Sequence, residues 1–122
     1  MIKIRTALQA FLISKHARVY FQAAPEDAIY PYVVFDLPDI SDDGEYQEQV
    51  LAEVDGWDLP SDGNTTVLET LMTTINSLNK TVLTAENIRA VFFLDRKLPL
   101  VDDNPLIKRR KYIYLVKIYK GE

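Results

Sequence analysis

The clearest pattern in the chain is the alternation of residues 107–120, where β-branched and aromatic residues fill a run of strand length. Side chains on a strand point alternately to two faces. Tyr112, Tyr114, Val116 and Ile118 therefore share one side, and Arg109, Lys111, Ile113, Leu115, Lys117 and Tyr119 share the other. The first set reads as core. The second mixes cations with two aliphatics, so that face is expected to be covered only in part and to meet a helix or another subunit.

Helical spacing begins the chain. Ile4, Ala7, Leu8, Phe11 and Leu12 recur every three or four residues and predict an amphipathic helix over 3–15. Lys15 and His16 at its end suit the negative C-terminal pole. Residues 19–22 read as a short strand, and 23–28 as a connector. Pro31 favours an extended entry to a strand over 32–37, with Val33, Phe35 and Leu37 on one face. A polar turn over 39–45 leads to a long alternating strand over 46–57, with Val50, Ala52 and Val54 on one side and Trp57 on the other. Gly56, Pro60 and Gly63 mark its exit.

A second helix is predicted over 64–78, with a stripe of Val67, Leu68, Leu71, Met72, Ile75 and Leu78. Thr66 and Glu69 have capping-box spacing, with Asp62 or Asn64 as alternative caps. Val82 and Leu83 form a short extended piece. Residues 87–94 read as a strand with Ile88, Ala90, Phe92 and Leu94 on one face and Val91 and Phe93 on the other, both apolar, which implies burial on two sides. Residues 95–106, with Pro99 and Pro105, read as a long connector. The expected architecture is one α+β domain over 1–122: a two-layer fold with a mostly antiparallel sheet of about four to five strands and two helices on one face.

Composition narrows the chemistry. A chain of 122 residues is long enough for one self-sufficient core. With no cysteine there is no disulfide framework, no thiolate nucleophile and no sulfur-ligated metal. No leader-like apolar segment and no run near the ~20 residues of a membrane span is present, so a cytoplasmic protein with no membrane partner is expected. The net charge of −4 argues against a dedicated nucleic-acid binder. Acid gathers between Asp36 and Glu53, and base gathers at Lys108, Arg109, Arg110 and Lys111. Such polarity orients protein partners.

The lone histidine, His16, has no nucleophile pattern near it and reads as a helix-terminal residue. Asp39, Ser41 and Asp43 resemble the start of a calcium loop, but Val50 stands where the bidentate glutamate belongs. Asp102, Asp103, Asn104 and Pro105 read as a turn. A metal-dependent hydrolase using Asp36, Asp39, Asp43 and Asp55 is a minor reading. The expectation is no enzyme activity, no cofactor and no metal.

The order of these pieces resembles the small tail-completion (tail-terminator, head–tail joining) proteins of long-tailed bacteriophages and their prophage relatives. The family's segment Pro-Ala-Asp/Glu-Ala-x-x-Pro-Tyr-Val-Val is matched by Pro25, Glu26, Asp27, Ala28, Pro31, Tyr32, Val33 and Val34, and the resemblance runs over residues 3–120. It implies a structural protein, made in the host cytoplasm and carried in the virion neck. Such a protein forms a ring, often a hexamer, at the head-proximal end of the tail tube. Its partners would be copies of itself, the tail-tube protein and the head connector or stopper protein, with DNA only as passing cargo. Acid facing a lumen would keep DNA from sticking. On this reading the interface residues are Asp39, Asp42, Asp43 and Glu45 in the acidic turn, Phe93, Arg96 and Lys97, and Arg109, Lys111, Ile113 and Leu115. The alternative is a non-enzymatic bacterial interaction or adaptor module of α+β fold.

Overall fold

A computed structural model describes residues 2–38, 49–85 and 87–120. Helix α1 (Ile2–Lys15) leads to strands β1 (Val19–Phe21), β2 (Tyr32–Asp36) and β3 (Gln49–Asp58). Helix α2 (Thr66–Ile75), extended by a 3-10 turn at Asn76–Leu78, follows. Strands β4 (Val82–Ala85), β5 (Ile88–Val101) and β6 (Lys108–Lys120) complete the chain. One six-stranded sheet runs in the order β1-β2-β3-β6-β5-β4. Only the β1–β2 pair is parallel.

The α+β class holds, and so do the mostly antiparallel sheet and the helices on one face. The strand number is six rather than four to five. The short strand expected over 19–22 is β1 at one edge, and the addition is the four-residue β4 at the other, where the sequence showed only a short extended piece at Val82 and Leu83.

Strand β6 lies at the middle of the sheet, paired with β3 from Lys108 to Lys117 and with β5 along nearly its whole length. Its predicted inner set, Tyr112, Tyr114, Val116 and Ile118, is buried. That set meets Ile4, Leu8 and Leu12 of α1 and Leu68, Leu71, Met72 and Ile75 of α2 in one cluster. Helix α1 packs against both β1 and β4, the opposite edges of the sheet. The sheet therefore curls around α1, and its helix-free face is convex. Val67, assigned to the α2 stripe, is 56% exposed instead.

Two local contacts fix how the layers meet. A Cβ on Gly56 would come 2.5 Å from Met72 Sδ and 3.0 Å from Leu68 Cδ1, so α2 can lie this close to β3 only over a glycine. Buried Tyr114 donates its hydroxyl to Asn76 Oδ1 at 2.9 Å, tying the centre of the sheet to the end of the second helix. At the start of α2, Asn64 Oδ1 accepts from the Thr66 amide at 2.8 Å. The capping box is not formed: the N-cap is Thr65 rather than Thr66, it makes no side-chain cap hydrogen bond, and Glu69 accepts from Arg110 on β6.

The predicted connector over 95–106 is mostly strand. A register shift between Leu94 and Arg96 leaves Asp95 as an extra residue, after which β5 keeps pairing with β6 as far as Val101. The Leu94 amide at the bulge is bound by Asn79 Oδ1 at 2.8 Å. Pro99 is tolerated because β4 pairs only with residues 88–91 of β5, leaving the outer side of 95–101 without a strand among the described residues. Pro99 marks an edge of the sheet, whereas Pro105 lies in the turn over 102–107, as expected.

Candidate functional site: the open face of the sheet

The alternation that buries one set of side chains presents the other on the convex face. From the register, successive rows across β2, β3, β6 and β5 are Tyr32, Trp57, Arg109 and Leu100; Val34, Asp55, Lys111 and Leu98; Asp36, Glu53, Ile113 and Arg96. Leu51, Leu115 and Phe93 follow, then Gln49, Lys117 and Val91. Both helices lie on the other side, so this face has no second layer among the described residues. Leu51, Val91, Phe93, Ile113 and Leu115 form a half-buried apolar strip along it.

At one end of the strip is a charged and aromatic cluster. Asp55 is buried, with 6% of its surface exposed, and accepts from Arg109 Nε at 2.8 Å and from the Arg109 terminal nitrogen. The same guanidinium lies 4.4 Å over the Trp57 ring. Trp57 stacks on Tyr32 with centroids 5.9 Å apart and an 8° interplanar angle. Tyr30 and Tyr20 close on Tyr32 from its other sides. Lys111 Nζ binds Glu53 Oε1 at 2.6 Å and lies 3.8 Å from Asp55.

Burial raises the Asp55 carboxyl above its ordinary value; Arg109 and then Lys111 pull it back without cancelling the desolvation. Burial beside Tyr30 pushes the Tyr32 hydroxyl up to about 12, so it stays neutral. Trp57 Nε1 is buried with no hydrogen-bond partner among the described residues. A shallow groove of about 370 Å³ opens between this cluster and the 22–24 turn.

Of the predicted interface residues, Phe93, Arg96, Arg109, Lys111, Ile113 and Leu115 come together on this face. Lys97 does not. The bulge sends it to the helix side, 5.3 Å over the Tyr112 ring. Asp39, Asp42, Asp43 and Glu45 lie outside the described residues. Arg109 and Lys111 are held in ion pairs within the chain. The cations left with looser ties are Arg96, whose carboxylate contact is its sequence neighbour Asp95 at 3.4 Å, and Lys117, 5.7 Å over the Phe93 ring.

Sequence reasoning missed Asp36 and Leu51 as parts of this face. Asp36 accepts from its neighbour's amide at 2.8 Å and from Gln22 at 3.4 Å. The signal was available: both residues alternate with predicted core positions on β2 and β3. Asp58 points to the opposite face from Asp36 and is buried, accepting from the Leu59 amide, so the two carboxylates are not paired. His16 Nε2 and Arg18 Nε both donate to the Pro31 carbonyl, at 2.9 and 3.0 Å, anchoring the connector to β2. Among the described residues no three His, Asp or Glu side chains are grouped to hold a metal. No helix there is long and apolar enough to cross a membrane.

No family model matches the chain, and no curated protein matches it in sequence. A solved structure shares its fold. A chain from the "Virion of native gene transfer agent (GTA) particle" superposes with a TM-score of 0.73 over 98% of this chain and 96% of that one. At 12% identity, the likeness is one of fold.

Proposed function

We propose that this protein is a structural component of a phage or phage-like particle, built to be held by neighbours. The observation that carries the reading is the end-to-end fold likeness to a chain of a gene transfer agent virion, at matching chain lengths. The finer role is that of a tail-completion protein. It sits at the head-proximal end of the tail tube, stops the tube from growing and joins it to the head connector as a ring. The motif over 25–34 supports that role, as does a helix-free sheet face with a half-buried apolar strip.

A ring needs two unlike patches that meet head to tail. The open face supplies one, with Phe93, Ile113 and Leu115 at its centre. The acidic residues Asp39, Asp42, Asp43 and Glu45 are the candidates for the other. The work is done by shape and contact, with no bond-making and no cofactor.

The test is to delete the gene from a particle-producing strain and inspect lysates by electron microscopy. Unjoined heads and tails, or tails of irregular length, are expected, with joining restored by the gene in trans. Normal joined particles from the deletion would sink the tail-completion role. Absence of the protein from purified particles would sink the virion reading altogether.

A further inference from the structure

The rows of the open face have a symmetry that the ring reading does not require. Sheet order places the β3–β6 seam at the centre, with β2 and β5 flanking it. A copy turned by 180° about an axis along that seam, in the plane of contact, lays each β3 residue over its own β6 ladder partner. It lays each β2 residue over the β5 residue of the same row. Asp55 then faces the copy's Lys111, and Trp57 faces the copy's Arg109. Leu51 faces Leu115, and Gln49 faces Lys117. Asp36 faces Arg96, Val34 faces Leu98, and each of these pairs occurs twice.

We infer that the open face is self-complementary and closes on a second copy of this chain about a two-fold axis along the β3–β6 seam. Charge carries the choice of occupant. Acid lies on the β2–β3 half and base on the β6–β5 half, so this two-fold brings unlike signs together in the Asp36–Arg96 and Asp55–Lys111 pairs while Glu53 meets Ile113, whereas a two-fold perpendicular to the strands would lay each strand on its own copy and bring like signs together. The pair that matters most is Asp36 with Arg96. Among the described residues these two have no strong ion pair, whereas Asp55, Glu53, Arg109 and Lys111 are already committed to one another.

Four strands of this length present a face of roughly 20 by 30 Å, about 600 Å². That is somewhat less than the ~800 Å² per partner of a standard interface. The convex curl narrows it further to the crest, where Leu51 and Leu115 lie. The dimer therefore belongs with the small, transient interfaces. A closed pair of this kind hides the apolar strip until a stronger partner competes for it.

Sedimentation velocity on the full chain from about 1 µM to 1 mM tests this. A monomer–dimer equilibrium that stops at two is expected. Leu115→Asp should weaken it at least tenfold while circular dichroism stays unchanged. Asp36→Arg and Arg96→Asp should each weaken it alone, and an equimolar mixture of the two variants should restore it, because both trans pairs are then attractive. A chain that stays monomeric at 1 mM overturns the inference, as does a mixture that fails to recover. Species larger than two also overturn it, and if Leu115→Asp abolishes them the ring reading stands. A two-fold dimer found together with particles that lack the protein does the reverse.

Discussion

The two faces of the sheet are made by the same strands, residue by residue, yet they answer to different physics. On the helix side Phe92, Tyr114, Val116 and Phe35 are shut away from water against two helices. On the open side their immediate neighbours Phe93, Ile113, Leu115 and Val34 stay half-buried beside ion pairs. The inner face is held by burial and close packing, which cost several kcal/mol to disturb. The outer face is held by register and by charges that neutralise one another, which cost much less. Stability is thus concentrated on one side of each strand, leaving the other side free to be shaped by partners.

The sharpest way to break this contrast uses two adjacent phenylalanines. Phe92→Ala should lower unfolding free energy by ~3–5 kcal/mol, and Phe93→Ala by about 1 kcal/mol, in urea denaturation. Equal losses would mean that the open face is covered within the monomer.

Gly56→Ala comes next. The added methyl would press on Met72 and Leu68, so a loss of ~1–3 kcal/mol is expected, and the double variant with Met72→Ala should lose less than the sum of the two single losses.

Asp55→Asn probes the charged cluster through pH. The folded carboxyl is raised above 3.8 by burial, so the folded state holds its proton more tightly than the unfolded chain. Its contribution is full below pH 3.8 and is lost as pH rises through the raised folded value. The stability of the wild type relative to Asp55→Asn should therefore fall as pH rises across that window, read from denaturation midpoints of both proteins. A difference that grows with pH would mean that Arg109 outweighs desolvation.

The smallest effect is expected from Arg110→Ala. Its 2.7 Å bond goes to a Glu69 whose side chain is 52% exposed, so no more than ~0.5 kcal/mol should be lost.

Much of the fold was legible because period and burial agree where elements are long. The α1 stripe of Ile4, Leu8 and Leu12, the inner set of β6 and the partly covered outer set all follow from spacing alone. The errors fall where a local signal was outvoted by pairing. The β5 extension past Asp95 was read as a loop because of its prolines and charges, but β6 supplies a ladder partner for each residue from Arg96 to Val101. Lys97 belongs to the stretch read as a connector, and no local signal announces the bulge that turns it to the helix side of a strand. Val91 and Phe93 suggested burial on both faces, whereas the second face carries no helix.

The site was half legible. Ile113, Leu115 and Phe93 could be chosen by alternation. That Arg109 and Lys111 are spent on Asp55 and Glu53, 54 and 58 residues away in sequence, could not, since the pairing depends on which strands are neighbours.

By itself the sequence determined which side chains avoid water, because hydrophobic spacing is written locally and each element obeys its own period. Only the tertiary structure decided which charges remain unspent and which surface is left bare. Those depend on strand order and on where the helices land, and both are set by contacts between residues far apart in the chain.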